Sequence, residues 1–171
     1  MTEYQVRPAR ESDLPELARM RRALAAHLAA RDPELWELAP ERLAGMAEFY
    51  ADALKQDNTC ILVAEARSGK LAGMVMVRIL DNPNIKPSRF GRIDDAWVEP
   101  DLRRQGVMRG LVLSALDFVE EQGAAHIMLD YSVQNVISAK AWVRLGFRPA
   151  LVIAQATLDQ VRQGHSSAGS S

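Results

Sequence analysis

Apolar positions recur along this chain in two different periods, and the places where the period changes mark out its elements. Tyr4 to Arg7 is a short strand candidate. Ser12 and Asp13 are helix-capping types and Pro15 suits a first helical turn. Leu14, Leu17, Leu24 and Leu28 then fall on one face of a helix that reaches about Ala30. Asp32-Pro33 breaks it, and Pro40 opens a second helix with Leu43, Met46, Ala47, Tyr50 and Leu54 on one side. The period then shortens. Cys60 to Ala66 is a compact apolar strand, Ser68-Gly69-Lys70 a turn, and Leu71 to Leu80 a second strand, which together read as a hairpin. Asp81 to Ser88 is a loop, and Phe90 to Val98 reads as a strand with two carboxylates in its middle. A helix runs from Gly106 to about Gln122, with Val112, Ala115, Leu116 and Val119 inward and Gly123 as its stop. His126 to Ser132 is a strand, Ser138 to Gly146 a helix, and Ala150 to Leu158 a last strand. The order β-α-α-β-β-β-α-β-α-β is that of an α/β domain with a hairpin-built first half.

Composition narrows the classes. The 171 residues are 48% hydrophobic and 25% charged, which is ordinary globular usage and excludes a disordered or collagen-like chain. One domain is expected over 1–160, followed by a small, polar, disordered tail over 161–171. Lys plus Arg total 21 against 22 Asp plus Glu, a formal net charge of -1, so no global basic field serves nucleic acid or an anionic membrane. No stretch approaches the roughly 18 uncharged apolar residues of a membrane span, and the start lacks a secretory core, so a cytoplasmic protein is expected. Cys60 is the single cysteine and makes no internal disulfide. No Cys/His/Asp spacing suggests a metal site.

The chemistry concentrates between Val98 and Val112. A strand ends, Pro100 turns the chain, and Arg103, Arg104 and Gln105 precede Gly106 and an amphipathic helix. A helix start leaves N–H groups unsatisfied and carries about half a positive charge. Gly106 lets the backbone approach closely, and Arg103, Arg104 and Arg109 can neutralise a diphosphate. Residue types alone leave two readings, an anion site or a capped helix with solvated arginines.

These residues resemble the GNAT superfamily of N-acetyltransferases, whose signature is Arg/Gln-x-x-Gly-x-Gly/Ala after a strand ending Val-x-Pro. Here stand Val98-Glu99-Pro100 and Arg103-Arg104-Gln105-Gly106-Val107-Met108. Asn135, Ser138, Trp142 and Leu145-Gly146-Phe147 match the downstream Asn-x-x-Ala/Ser, Tyr and Leu-Gly-Phe in spacing. The resemblance implies a single α/β domain whose mixed, mostly antiparallel sheet has a splayed strand pair, around Val98 and Tyr131, flanked by helices. It implies acetyl-CoA as cosubstrate, its pyrophosphate cradled by the loop from Arg103 to Gly110, through Val107, Met108 and Arg109. Backbone groups of Trp97 and Val98 would pair with the pantetheine arm like an added strand, and Asn135 and Ser138 would contact the cofactor. Two positions depart from the pattern. Met108 replaces the second Gly/Ala, and Trp142 replaces a tyrosine that often protonates the departing thiolate, a task indole N–H does not perform.

Asp94 and Asp95 are the candidate bases, the alternative being that they form salt bridges or lie on an exposed face. Attack on a thioester needs a neutral amine, so a nearby carboxylate can take the proton directly or through water. Adjacent strand residues face opposite ways, so one of the two reaches the acceptor unless a bulge rotates the strand. Similar proteins carry Glu-Asp here with the first acid facing the substrate, which favours Asp94. Other polar residues read more plainly: His27 as a surface residue, though it lies in the region that shapes the acceptor pocket in similar proteins, His126 as structural, Cys60 as a small core residue, Trp36 as a pocket wall or packing group, and Arg19 to Arg22 as a solvated helix face. The expected activity is transfer of acetyl to a small-molecule or peptidyl primary amine in a ternary complex. The alternative is an acyl-CoA-binding sensor of the same fold that catalyses little. Similar proteins are often dimers, and the last strand would offer an edge to a homodimer partner.

Overall fold

The computed structural model describes residues 4–167. They fall into two compact units, one ending at Ala139 and a smaller one beginning at Lys140.

The first unit holds the sheet. Its strands are β1 (Tyr4–Pro8), β2 (Thr59–Ala66), β3 (Leu71–Asp81), β4 (Arg89–Val98) and β5 (Ile127–Leu129), lying side by side in that order. The first four are successively antiparallel and β5 runs parallel to β4, a mixed, mostly antiparallel sheet. The hairpin read from Cys60 to Leu80 is present as β2 and β3. Helix α1 (Leu14–Ala29) follows β1. Asp32 caps a short helix, α2 (Pro33–Trp36), which the sequence reading passed over as a break. The single helix expected from Pro40 is two, α3 (Pro40–Ala44) and α4 (Met46–Ala53), because Gly45 lets the chain leave helical geometry between them.

Alternation along β3 decides which helix packs where. Met74 and Met76 face α1 and α4 and bury Leu17, Met20, Met46 and Tyr50 with Trp97 of β4. The opposite face takes α5 (Val107–Glu121), whose Leu111, Val112, Ala115 and Val119 are buried and whose Val119 lies against Gly91. Leu116, expected inward, is 38% exposed, because the buried stripe runs through Leu111 instead. Gly123, at φ +74°, ends the helix as expected.

The strand expected over His126 to Ser132 is only three residues long, and that shortness positions the site. β5 pairs β4 at Gly91, Arg92 and Ile93 and nowhere beyond. From Asp94 to Val98, β4 keeps β3 on one side and, among the described residues, has no strand on the other. This is the expected splay. A second irregularity sits at the same point: the β3–β4 register shifts between Met76 and Val77, which pair with Asp95 and Ile93 and leave Asp94 as the extra residue of a bulge.

In the second unit, α6 (Val136–Arg144), begun in the first unit, comes to its end, and the turn after it closes on Gly146 at φ +97°. Trp142 is buried and meets Phe147 edge-on at 5.5 Å between centroids. The strand expected over Ala150 to Leu158 is not formed. Residues 150–157 are irregular, with Leu151 83%, Val152 76% and Ile153 70% exposed. Apolar, β-branched side chains suit a strand, but without a hydrogen-bonded neighbour they do not make one. Helix α7 (Leu158–Ser167) then runs into the segment expected as a disordered tail, of which residues 168–171 lie outside the described residues.

Candidate active site

The open half of β4 leads straight into the loop that the sequence marked. After Val98 the chain makes a short 3₁₀ turn (Pro100–Leu102) and enters α5 at Val107. Arg104 has φ 62° and Gly106 φ 83°, both left-handed, a conformation that costs Arg104 about 1–3 kcal/mol. A left-handed residue immediately before a helix start makes an anion-binding concavity of backbone N–H groups. No side chain caps α5 and its first turn holds no acid. Its leading N–H groups therefore remain available to an anion. Arg104, Gln105, Gly106 and Arg109 are exposed, Met108 is half-exposed and Val107 is buried in the core. Arg104 and Arg109 have no partner among the described residues. Gly106 and Gly110 lie against Tyr4, where a Cβ would stand 3.2 Å and 3.4 Å from its ring or hydroxyl.

Arg103 has a different task. Its Nε donates to the Val98 carbonyl at 3.1 Å and its guanidinium lies 4.9 Å from the Trp97 ring centre, so it ties the loop to the end of β4. Val98 is buried, and the Trp97 carbonyl faces Gly73 on β3, where a Cβ would come within 2.6 Å. Trp97 is itself buried, with His27 of α1 at its edge at 5.8 Å. His27 is half-buried here rather than on the surface. Burial, helped by the charges of Arg31 and Arg103, holds its pKa below the usual histidine value. The indole N–H groups of Trp97 and Trp36 are buried without a partner among the described residues.

The bulge decides where the carboxylates go. It turns both Asp94 and Asp95 to the face of α1 and α4, in place of the opposite facing that strict alternation requires. Asp95 is 4% exposed, accepts a hydrogen bond from Tyr50 Oη at 2.9 Å and pairs with Arg21 Nε at 2.7 Å. Burial raises its pKa despite the attraction of Arg21. Asp94 lies closer to solvent between Arg78 Nε at 2.5 Å and Arg92 Nε at 3.2 Å, and Arg92 also pairs with Asp130 just past β5. Arg21 is the residue the sequence reading missed, having been assigned to a solvated face. The signal was there, since Arg21 falls on the stripe of Leu17, Leu24 and Leu28.

Asn135 is buried and its Oδ1 accepts the Ser138 N–H at 3.1 Å, so Asn135 caps α6. Trp142 belongs to the second unit. Cys60 is half-buried at the start of β2, and burial pushes its thiol up to about 11, consistent with a packing role. Among the described residues no three His, Cys, Asp or Glu side chains are grouped to hold a metal ion, and no helix is long and apolar enough to cross a membrane. A polar cleft of about 450 Å³ between the start of α1, the β2–β3 turn and Glu99 holds none of the site residues. Its Arg19 is engaged by Glu16 at 3.0 Å and Glu99 at 2.5 Å.

An uncapped helix behind a left-handed glycine, beside a strand left open by its parallel neighbour, is the architecture of an acyltransferase fold. The chain belongs to the GNAT acetyltransferase family, whose model matches residues 21–147. It is 31% identical over 117 residues to streptothricin acetyltransferase of Streptomyces lavendulae, covering 68% of this chain and 58% of that one. It is 26% identical over 125 residues to human N-acetyltransferase 8, covering 68% and 54%. The match thus spans little more than half the length of these curated relatives. Among solved structures, a mutant of the BH1408 protein of Bacillus halodurans superposes with a TM-score of 0.79 at 18% identity, covering 90% of this chain and 99% of that one. The aminoglycoside N-acetyltransferase AAC(6')-Iy in complex with CoA superposes with a TM-score of 0.73 at 20% identity, covering 92% and 97%. At those identities the likeness is one of fold.

Proposed function

We propose that this protein transfers the acetyl group of acetyl-CoA to a primary amine by direct attack in a ternary complex, with no covalent enzyme intermediate. The observation that carries the reading is three features strung along one strand and its exit: two carboxylates where β4 loses its parallel neighbour, the unpaired edge that follows them, and the uncapped start of α5 beyond it.

Backbone N–H groups of Gly106 to Gly110, with Arg104 and Arg109 free to pair, would hold the diphosphate, and the edge of β4 at Trp97 and Val98 would align the pantetheine arm. Bound acetyl-CoA supplies an activated acyl thioester. Asp94 is the acid nearer solvent and would take the proton that the attacking neutral amine sheds, directly or through water, as the N–C bond forms and the C–S bond breaks. Asp95 holds the bulge in place through Arg21 and Tyr50 and so aims Asp94. Asn135 orders the start of α6, Ser138 lies in its first turn, and Trp142 shapes the second unit without proton chemistry, leaving the thiolate to depart unprotonated or to take a proton from water.

The reading is tested by calorimetry with acetyl-CoA and by thiol release across a panel of amines. Acetyl-CoA should bind, and at least one amine should stimulate thiol release. Gly106→Trp should weaken binding by about 10-fold or more, because a side chain there meets Tyr4 and strains a left-handed position. Undiminished binding in a folded Gly106→Trp variant overturns the cofactor site. Binding with no turnover across the panel overturns the enzyme and leaves a sensor.

A further inference from the structure

Two aspartates in a catalytic slot suggest an attractor for polycationic amines, and the arrangement of their neighbours contradicts that. Asp95 is neutralised by Arg21 and is out of reach of solvent. Asp94 has one guanidinium on each oxygen, Arg78 on Oδ2 and Arg92 on Oδ1. The group Asp94, Asp95 and Asp130 is matched by Arg21, Arg78 and Arg92. No uncompensated negative charge is left to draw in a polyamine.

What is left over is hydrogen-bond donors. Arg78 and Arg92 stand directly opposite each other on β3 and β4. Like charges in that cross-strand position repel, and a single carboxylate, Asp94, lies between them. Both arginines approach Asp94 through Nε, which leaves their terminal nitrogens turned elsewhere. Arg92 gives Nη2 to Asp130. Both Nη atoms of Arg78 and Nη1 of Arg92 have no partner among the described residues. The side chains are 42% and 36% exposed, so these donors are within reach of a ligand. A guanidinium edge with free donors matches the two oxygens of a carboxylate and binds it in a way an ammonium does not.

We infer that the acceptor is an amino acid-like amine, whose own carboxylate is taken by the free Nη atoms of Arg78 and Arg92 while its amine lies at Asp94. The inference rests on the acetyltransferase reading above. Because the arginines and Asp94 are in direct contact, amine and carboxylate must be close together on the acceptor. That favours α- and β-amino acids over diamines and aminoglycosides.

The experiment compares acceptors that differ only in the carboxylate. With acetyl-CoA saturating, kcat/KM is measured for L-phenylalanine, L-phenylalaninamide and phenethylamine, and for L-methionine and L-methioninamide, with spermidine and kanamycin as cationic controls. The free amino acids should exceed their amides and the decarboxylated amine by about 10- to 100-fold, the range of a charge-assisted pair. In Arg78→Gln that preference should collapse to about threefold or less while calorimetry shows acetyl-CoA affinity unchanged; Arg78→Lys should restore part of it. Equal use of amide and acid, a preference for spermidine or kanamycin, or a preference that survives Arg78→Gln overturns the inference and leaves the acetyltransferase reading standing. If no amine is acetylated, that reading fails separately. Calorimetric titration of L-phenylalanine and phenethylamine into the CoA complex then decides, and failure of the amino acid to bind more tightly than the amine overturns the inference.

Discussion

Asp94 and Asp95 are neighbours in the chain, of one residue type, turned to one face of one strand, and they live in different environments. Asp94 sits where β4 has lost its parallel partner, near solvent, between two half-exposed arginines. Asp95 sits one residue on, under α1 and α4, closed over by Tyr50 and Arg21. A carboxylate that can exchange protons with a substrate must be approachable, and one that fixes a bulge must not be. On the proposed mechanism that difference separates chemistry from positioning within two residues, both brought to one face by a single extra residue in the β3–β4 register.

The comparison breaks most visibly on the buried side. Arg21→Leu should destabilise the fold by about 3–5 kcal/mol, because it strands a buried carboxylate with no cation. Denaturant unfolding measures it, and a loss under about 1 kcal/mol would mean that Asp95 is not held by Arg21. Tyr50→Phe removes one hydrogen bond to Asp95 and leaves the packing of a fully buried ring, so a loss of about 1–3 kcal/mol is expected in the same assay. The smallest effect concerns His27, whose folded pKa lies below its unfolded value of 6.5. A depressed histidine contributes stability above its unfolded pKa and loses it as pH falls toward the folded one. The melting temperature should therefore drop more between pH 7.5 and pH 5.5 in the wild type than in His27→Phe, and equal drops would remove His27 from the buried edge of Trp97.

Much of this was legible in the chain and some was not, for identifiable reasons. The hairpin of β2 and β3 follows from an apolar run punctuated at Ser68-Gly69-Lys70, and α5 from a stripe ending at Gly123. The loop from Arg103 to Gly110 stood out because arginines and glycine before an amphipathic helix are chemically conspicuous. The shared facing of Asp94 and Asp95 was not legible, since a bulge is set by the register of two strands and leaves no mark in the alternation of one. Arg21 was misread because its charge outweighed its place on the apolar stripe. Residues 150–157 were misread for the opposite reason: Leu151, Val152 and Ile153 have strand-forming side chains, but propensity supplies no neighbour to pair with.

The division of labour between the two carboxylates is tested most directly by measuring kcat and melting temperature for Asp94→Asn and Asp95→Asn side by side, with the best acceptor found. Asp94→Asn should lower kcat by about 10²–10⁴-fold, the usual contribution of a general base, with a smaller fall in melting temperature than Asp95→Asn. Asp95→Asn should lower the melting temperature clearly, and its kcat at a temperature where it is folded should fall less than that of Asp94→Asn. A silent Asp94→Asn beside a kcat lost in a fully stable Asp95→Asn would contradict the account and assign the proton to the buried acid.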